Sequence, residues 1–321
     1  MPLVDMPLEE LRSYKGRNPR PDDFDAYWER ALGEMKAIDA DMRLDRAAFQ
    51  TPLVECFDLT FTGVDGARVY AKCLRPAGDA PAGGRPAMVQ FHGYTCDSGE
   101  WANYLSWAMA GFVVVSLDCR GQGGRSEDVG GVRGNTQSGH IIRGLEDSEE
   151  KLLFRSIFLD AAQLAGLVMD MDDVDSTRVM ARGGSQGGAL TLACAALEPR
   201  VARIALVYPF LSDYQRVWEM DMVDGAYHEL KQFFRLRDPK HEREAEWFRR
   251  LGYIDVQHLA PRIKARTLMA CGLMDRTCPP STQFAAYNKI TAEKDVVVYP
   301  DFGHEHLPGF EDATFSFLTK E

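Results

Sequence analysis

The sequence has no long apolar run: stretches such as Phe112-Val113-Val114-Val115 fall far short of the ~20 residues a membrane-spanning helix requires. A bilayer span is excluded. None of the seven cysteines (56, 73, 96, 119, 194, 271 and 278) forms a CxxC pair, and the odd number suits reduced thiols better than a disulfide framework or a zinc ribbon. They read as small core residues. Lys+Arg number 37 against 48 Asp+Glu, a net charge of −11, and no basic patch with interleaved aromatics offsets that balance. Nucleic acid is not an expected partner. H-E-x-x-H and comparable ligand spacings are also missing, so neither a catalytic metal nor a cofactor is expected. The opening Met1-Pro2-Leu3-Val4-Asp5-Met6-Pro7 has neither a basic n-region nor an apolar h-region, and the expected location is cytoplasmic.

What is present is a 321-residue chain that is 45% hydrophobic, without repeats or low-complexity tracts. Pro21-Asp22-Asp23 reads as a helix start, followed by Phe24, Trp28, Ala31, Leu32, Met35 and Ile38 at helical spacing. Residues 53–61 and 67–75 are β-rich and flank Asp65-Gly66, which predicts a hairpin. Beyond it, short apolar strands at about 87–91, 112–117, 178–182, 203–207, 267–271 and 296–299 alternate with helical stretches at about 100–110, 149–170, 187–197 and 282–292. Such alternation predicts an α/β fold: a mostly parallel central sheet with helices on both faces. Two stretches interrupt it, a Gly-rich loop over 119–147 and an aromatic, charged block over about 210–262. The second carries Trp218, Tyr227, Phe233, Phe234, Trp247, Phe248 and Tyr253 and reads as a helical insertion before the strand at 267–271. One domain, residues 1–321, is expected, with a helical extension over about 1–50.

The strongest local feature is Gly183-Gly184-Ser185-Gln186-Gly187, a G-x-S-x-G between a predicted strand and a predicted helix. With 28 glycines in 321 residues, such spacing around a serine arises by chance roughly 0.1 times over the chain. In this context the serine sits on a sharp strand-to-helix turn and projects its hydroxyl as a nucleophile, and the flanking glycines allow close helix–strand approach. A serine nucleophile needs a base, and the base needs an orienting acid. Asp275 follows the strand at 267–271, and His304 follows the strand at 296–299, in the order Ser, Asp, His. Asp301 and His306 are the neighbouring rivals. Asp301 lies too close to His304 in sequence to be its usual orienting partner, and His306 reads as a surface neighbour. Glu305 is read either as tuning the imidazole or as a structural hydrogen-bonding residue. His228, His241 and His258 in the charged block are read as solvated or structural. For the oxyanion, the N–H of Gln186 is one candidate donor. The N–H of Tyr94, in His92-Gly93-Tyr94, is the other. The Tyr94 ring lines the acyl pocket or packs as an aromatic lid.

Arg120-Gly121-Gln122, Gly183-Gly184-Ser185-Gln186-Gly187 and His304-Glu305 together resemble the three motifs of carbohydrate esterase family seven, the acetyl xylan esterases and cephalosporin-C deacetylases. The resemblance extends through Pro2-Leu3-Val4-Asp5-Met6-Pro7, Ser138-Gly139-His140-Ile141-Ile142-Arg143-Gly144, Tyr208-Pro209-Phe210-Leu211-Ser212-Asp213-Tyr214 and Cys278-Pro279-Pro280-Ser281-Thr282-Gln283-Phe284. It implies a metal-free α/β-hydrolase with Ser185 as nucleophile, His304 as base and then acid, Asp275 as orienting carboxylate, and Tyr94 with Gln186 at the oxyanion. Arg120, Gly121, Gln122 and Glu305 are implied as supports. It further implies deacetylation of small acetylated sugars and cephalosporins, and a homohexamer with its sites facing an interior cavity. A serine peptidase or amidase on the same fold is the competing enzyme reading, and a silent hydrolase-fold binding protein is the non-enzyme reading.

Overall fold

The computed structural model describes residues 4–132, 140–223 and 225–320. Pro2, Leu3, Ser138 and Gly139 of the motif segments lie outside them. Among the described residues one sheet holds nine strands: β1 (Arg43–Arg46), β2 (Val54–Thr62), β3 (Arg68–Pro76), β4 (Arg85–Phe91), β5 (Val113–Leu117), β6 (Val174–Gly184), β7 (Arg203–Val207), β8 (Arg266–Gly272) and β9 (Lys294–Tyr299). Their spatial order is β1-β2-β3-β5-β4-β6-β7-β8-β9. β1, β2, β3 and β5 pair antiparallel, and every pairing from β5 across to β9 is parallel. This is the expected mostly parallel α/β-hydrolase sheet.

The central strands are apolar on both sides because both faces are covered. Val89, Val115 and Ala181 join a core with the helices Leu153–Met169 and Gln186–Leu197. Met88, Val114 and Met180 join the opposite core with Trp107, Phe310 and Phe317. The helix Phe24–Lys36 buries Phe24, Trp28, Ala31, Leu32 and Met35 as its spacing predicts, whereas Ile38 lies beyond its end. The insertion forms the helices Tyr214–Glu219, His228–Arg237, Glu244–Leu251 and Val256–Leu259, and its aromatic residues pack into the first core rather than standing apart from it.

Several boundaries differ from the sequence reading. The stretch predicted at 149–170 splits because Leu152 is extended, leaving a short turn over Glu149–Lys151 before the helix proper. The stretch at 100–110 is a tight turn, Trp101–Tyr104, followed by the helix Leu105–Met109. The stretch at 282–292 is the helix Pro280–Tyr287, whose first-turn proline is preset for a helix start. Edge strand β1 and the helix Phe310–Thr319 are additions to the expected elements. β1 carries a single apolar residue, Leu44, and so has no alternation to detect.

The chain order creates the functional end of the sheet. β4 has β5 on one side and β6 on the other, so connections diverge from it and leave a crevice beyond the carboxyl ends of the strands. The register makes those ends flush: Phe91 of β4 pairs with Gly183 of β6, and Gly272 of β8 pairs with Tyr299 of β9. Tyr94, Ser185, Asp275 and His304 all lie two to five residues beyond these pairs.

Candidate active site

Ser185 leaves β6 at φ 56° and ψ −120°, a conformation unfavourable for a residue with a side chain, and stands at the N-cap of the helix Gln186–Leu197. Close packing holds it there. A Cβ on Gly187 would lie 2.2 Å from the Phe91 carbonyl oxygen, and one on Gly183 2.5 Å from the Gly187 backbone. Ser185 N–H donates to the Val207 carbonyl at 3.0 Å, and its own carbonyl accepts from Ala189 and Phe210. Glycine at these two positions allows strand, turn and helix to approach while the serine side chain remains half-exposed.

Asp275 is fully buried. Its Oδ1 accepts from the N–H groups of Thr277 and Cys278, each at 2.8 Å, and its Oδ2 lies 2.8 Å from His304 Nδ1. A carboxylate held in this way accepts the Nδ1 proton and leaves Nε2 as the imidazole's free acceptor. The Tyr208 ring packs against His304 with centroids 4.1 Å apart, limiting rotation of the imidazole. Ser185 and His304 line one cavity of about 490 Å³ together with Tyr94, Thr277, His228 and Glu229. Its volume suits a small ligand. His228 therefore stands at the cavity mouth, although its place in a charged stretch gave no sign of this. Another hollow, of about 530 Å³, is occupied at its wall by Arg75 and Arg85 pairing with Asp173, and it carries no nucleophile.

The rivals stand apart. Asp301 and His306 are exposed, and the carboxylate that accepts from His304 Nδ1 is that of Asp275. Glu305 accepts from Gly303 N–H at 2.9 Å, bracing the turn that carries His304. His241 is exposed and pairs with Glu244, while His258 is buried, with its pKa lowered to about 3 by desolvation. Asp275, Cys278 and His304 bring a carboxylate oxygen, a thiol and an imidazole nitrogen within 4.8 Å of one another. Within this trio the Asp275 oxygens are already engaged by Thr277 N–H, Cys278 N–H and His304 Nδ1, and burial pushes the Cys278 thiol well above its ordinary pKa.

The Arg120-Gly121-Gln122 segment has a physical role that residue chemistry alone did not disclose. Arg120 is buried and makes a two-pronged pair with Asp160, Nε and one Nη each at 2.6 Å, and also donates to the Val64 carbonyl. Gly121, at φ 69°, supplies the left-handed turn that follows. Gln122 and Gln186 then exchange amide hydrogen bonds at 2.7 and 3.1 Å, and Gln122 Oε1 also accepts from Thr95 N–H at 2.9 Å. One side chain thus ties the Tyr94 loop to the residue after Ser185. His92 adds a second tie: Nδ1 bonds the Gly93 carbonyl at 2.7 Å, and Nε2 accepts from Cys119 N–H at 3.0 Å. Burial lowers the His92 pKa, favouring the neutral ring that this pattern requires. Tyr208, Gln122's amide exchange and Glu229 escape sequence reasoning because each depends on a long-range contact.

Fold and site together define an α/β-hydrolase with a serine at a strand-to-helix elbow and a carboxylate-held histidine lining the same cavity. The acetyl xylan esterase family profile matches residues 1–321, and the chain belongs to that family of carboxylic ester hydrolases. Acetyl xylan esterase 1 from a Thermoanaerobacterium species is 57% identical, with a TM-score of 0.96 and 98% of each chain covered. The acetyl xylan esterase from a Paenibacillus species is 35% identical, with a TM-score of 0.93 over 98% of this chain and 99% of the other. Acetyl esterase Axe7A of Xylanibacter ruminicola is 25% identical over 292 residues, 87% of this chain and 62% of that protein. The chain thus spans under two thirds of that relative's length.

Proposed function

We propose that the chain is a serine esterase that removes acetyl groups from acetylated xylo-oligosaccharides and other small O-acetyl esters, including cephalosporin C, through an acetyl-serine intermediate. The observation that carries this reading is the strained Ser185 facing the same cavity as His304, whose Nδ1 is held by buried Asp275. The Ser185 hydroxyl attacks the acetyl carbonyl as its proton passes to His304 Nε2. The tetrahedral oxyanion is held by the N–H groups of Tyr94 and Gln186. As the intermediate collapses, the ester C–O bond breaks and the departing sugar oxygen takes the proton from His304. Water then attacks acetyl-Ser185 with His304 again as base, releasing acetate and restoring the serine. Family membership supports the acetyl group and the sugar, and the cavity size supports a small substrate.

The same proposal extends to a homohexamer, supported by the family resemblance. Sedimentation at working concentration tests the assembly, and a lone monomer would refute it. Activity is tested by acetate release from acetylated xylo-oligosaccharides, cephalosporin C, p-nitrophenyl esters of increasing acyl length and a peptide, with Ser185→Ala as control. Serine-dependent turnover that collapses with longer acyl chains is the expected result. Preference for long acyl chains or peptides would overturn the substrate class, and full activity in Ser185→Ala would overturn the nucleophile.

A further inference from the structure

Glu229 is a buried acid in the aromatic, charged insertion. It sits one residue into the helix His228–Arg237, is 5% exposed, and faces the cavity. Burying a carboxylate costs several kcal/mol unless its oxygens find donors. Here the donors come from two other segments. The Tyr94 hydroxyl donates to Oε1, Ile141 N–H donates to Oε2 at 2.8 Å, and Ile142 N–H reaches the same oxygen at 3.5 Å. The Tyr94 hydroxyl in turn accepts from His140 N–H at 3.1 Å. These partners are a phenol and backbone amides rather than a guanidinium or ammonium, so the carboxylate acts as an acceptor hub.

That hub joins the three segments that wall the cavity: the loop after β4, the Gly-rich loop and the insertion. Its effect converges on Tyr94. The ring is pinned at its hydroxyl by Glu229 and laterally by His140 and Phe210, each with centroids 5.2 Å away. The backbone is pinned at the next residue by Gln122, through Thr95 N–H. A side chain fixed at its far end and a backbone fixed beside its Cα leave the Tyr94 N–H little freedom. An oxyanion donor works by being in place before charge develops, so such fixation bears on turnover more than on ground-state binding.

We propose that Glu229 is a positioning residue that acts through Tyr94 to hold the oxyanion-binding turn in register with Ser185. The inference rests on the esterase reading above. It gives the aromatic insertion a part in the chemistry, since the helix that carries Glu229 belongs to that insertion.

The test is a double-mutant cycle on p-nitrophenyl acetate with Tyr94→Phe, Glu229→Ala, the double variant and Glu229→Gln. Turnover is expressed per serine labelled by a fluorophosphonate, so that misfolded protein does not count. Tyr94→Phe and Glu229→Ala are each expected to lower kcat by about 10- to 100-fold with KM changed less than about threefold. In the Tyr94→Phe background, the further loss from Glu229→Ala should shrink to under about threefold, because the path it acts through is already cut. Glu229→Gln, which keeps one acceptor oxygen, should recover part of the loss. Wild-type kcat in Glu229→Ala, losses that multiply in the double variant, or a loss confined to the labelled fraction would each overturn the proposal. Failure of the esterase reading is recognised separately: wild type would then label at Ser185 yet release no acetate. The cycle would be judged on whichever ester the wild type turns over.

Discussion

His304 Nδ1 lies 2.8 Å from Asp275 Oδ2, on a carboxylate whose other oxygen is already taken by the N–H groups of Thr277 and Cys278. The acid is thereby oriented from behind before it orients the base. Asp275→Asn should keep the fold but present an amide that cannot satisfy both sides: if its oxygen faces the two N–H groups, its NH2 faces Nδ1. The imidazole then adopts the wrong tautomer. Steady-state kinetics should show kcat lowered by about 10³- to 10⁴-fold with KM little changed.

Gln122 joins Gln186 and Thr95 without touching Ser185. Gln122→Ala removes bonds on both sides of the oxyanion turn and leaves the Gln186 amide without its reciprocal partner. A loss of about tenfold or more in kcat is expected, with destabilisation of about 1–3 kcal/mol, measured by kinetics and chemical denaturation of the same preparation. An unchanged kcat beside a lowered stability would confine Gln122 to a structural role.

Two glycines should respond in opposite directions to alanine. In Gly187→Ala the new Cβ would meet the Phe91 carbonyl oxygen at 2.2 Å, a backbone atom that cannot step aside. A loss of about 3 kcal/mol or more is expected, together with displacement of the serine turn. Gly33, inside the helix Phe24–Lys36, has nothing within 4 Å of where an added Cβ would sit and no positive φ. Gly33→Ala should stabilise by about 0.5–1 kcal/mol, readable as a rise in denaturation midpoint.

Asp255 is fully buried and donor-supplied by Asp213 N–H and Gln257, and it carries a stability–pH signature. Burial, with the neighbouring Asp213 charge, pushes its pKa from 3.8 up to about 7. The native state therefore binds a proton that the unfolded state has released between about pH 4 and pH 7. Its contribution favours folding below that window, falls as pH rises through it, and is level above it. The slope is at most about 1.4 kcal/mol per pH unit. Asp255→Asn should flatten the stability profile over that window whatever its absolute stability; an unchanged slope in urea titrations from pH 4 to 8 would refute the assignment.

Much of the fold was legible because apolar strands covered on both faces leave continuous runs such as Val113-Val114-Val115, and the helix Phe24–Lys36 leaves a spaced stripe. Polar edge strand β1 left no such mark. The turn after β6 was legible too, since Gly183 and Gly187 bracket Ser185 at a spacing that few other local structures use. Arg120-Gly121-Gln122 could be noticed only as a resemblance. Nothing local says that Gln122 will reach an amide 64 residues away, or that Arg120 will find Asp160.

The sequence by itself determined the strand-and-helix alternation, the sharp elbow around Ser185, and the chain order in which an acid and a histidine follow later strands. These properties belong to neighbouring residues, whose periodicity and backbone freedom are local. Only the tertiary structure decided which acid meets His304, which side chains brace Tyr94, and that Glu229 leaves a charged stretch to face the cavity. Those outcomes depend on sheet register and on burial, which pair residues distant in the chain and make a buried carboxylate seek whatever donors the assembled walls supply.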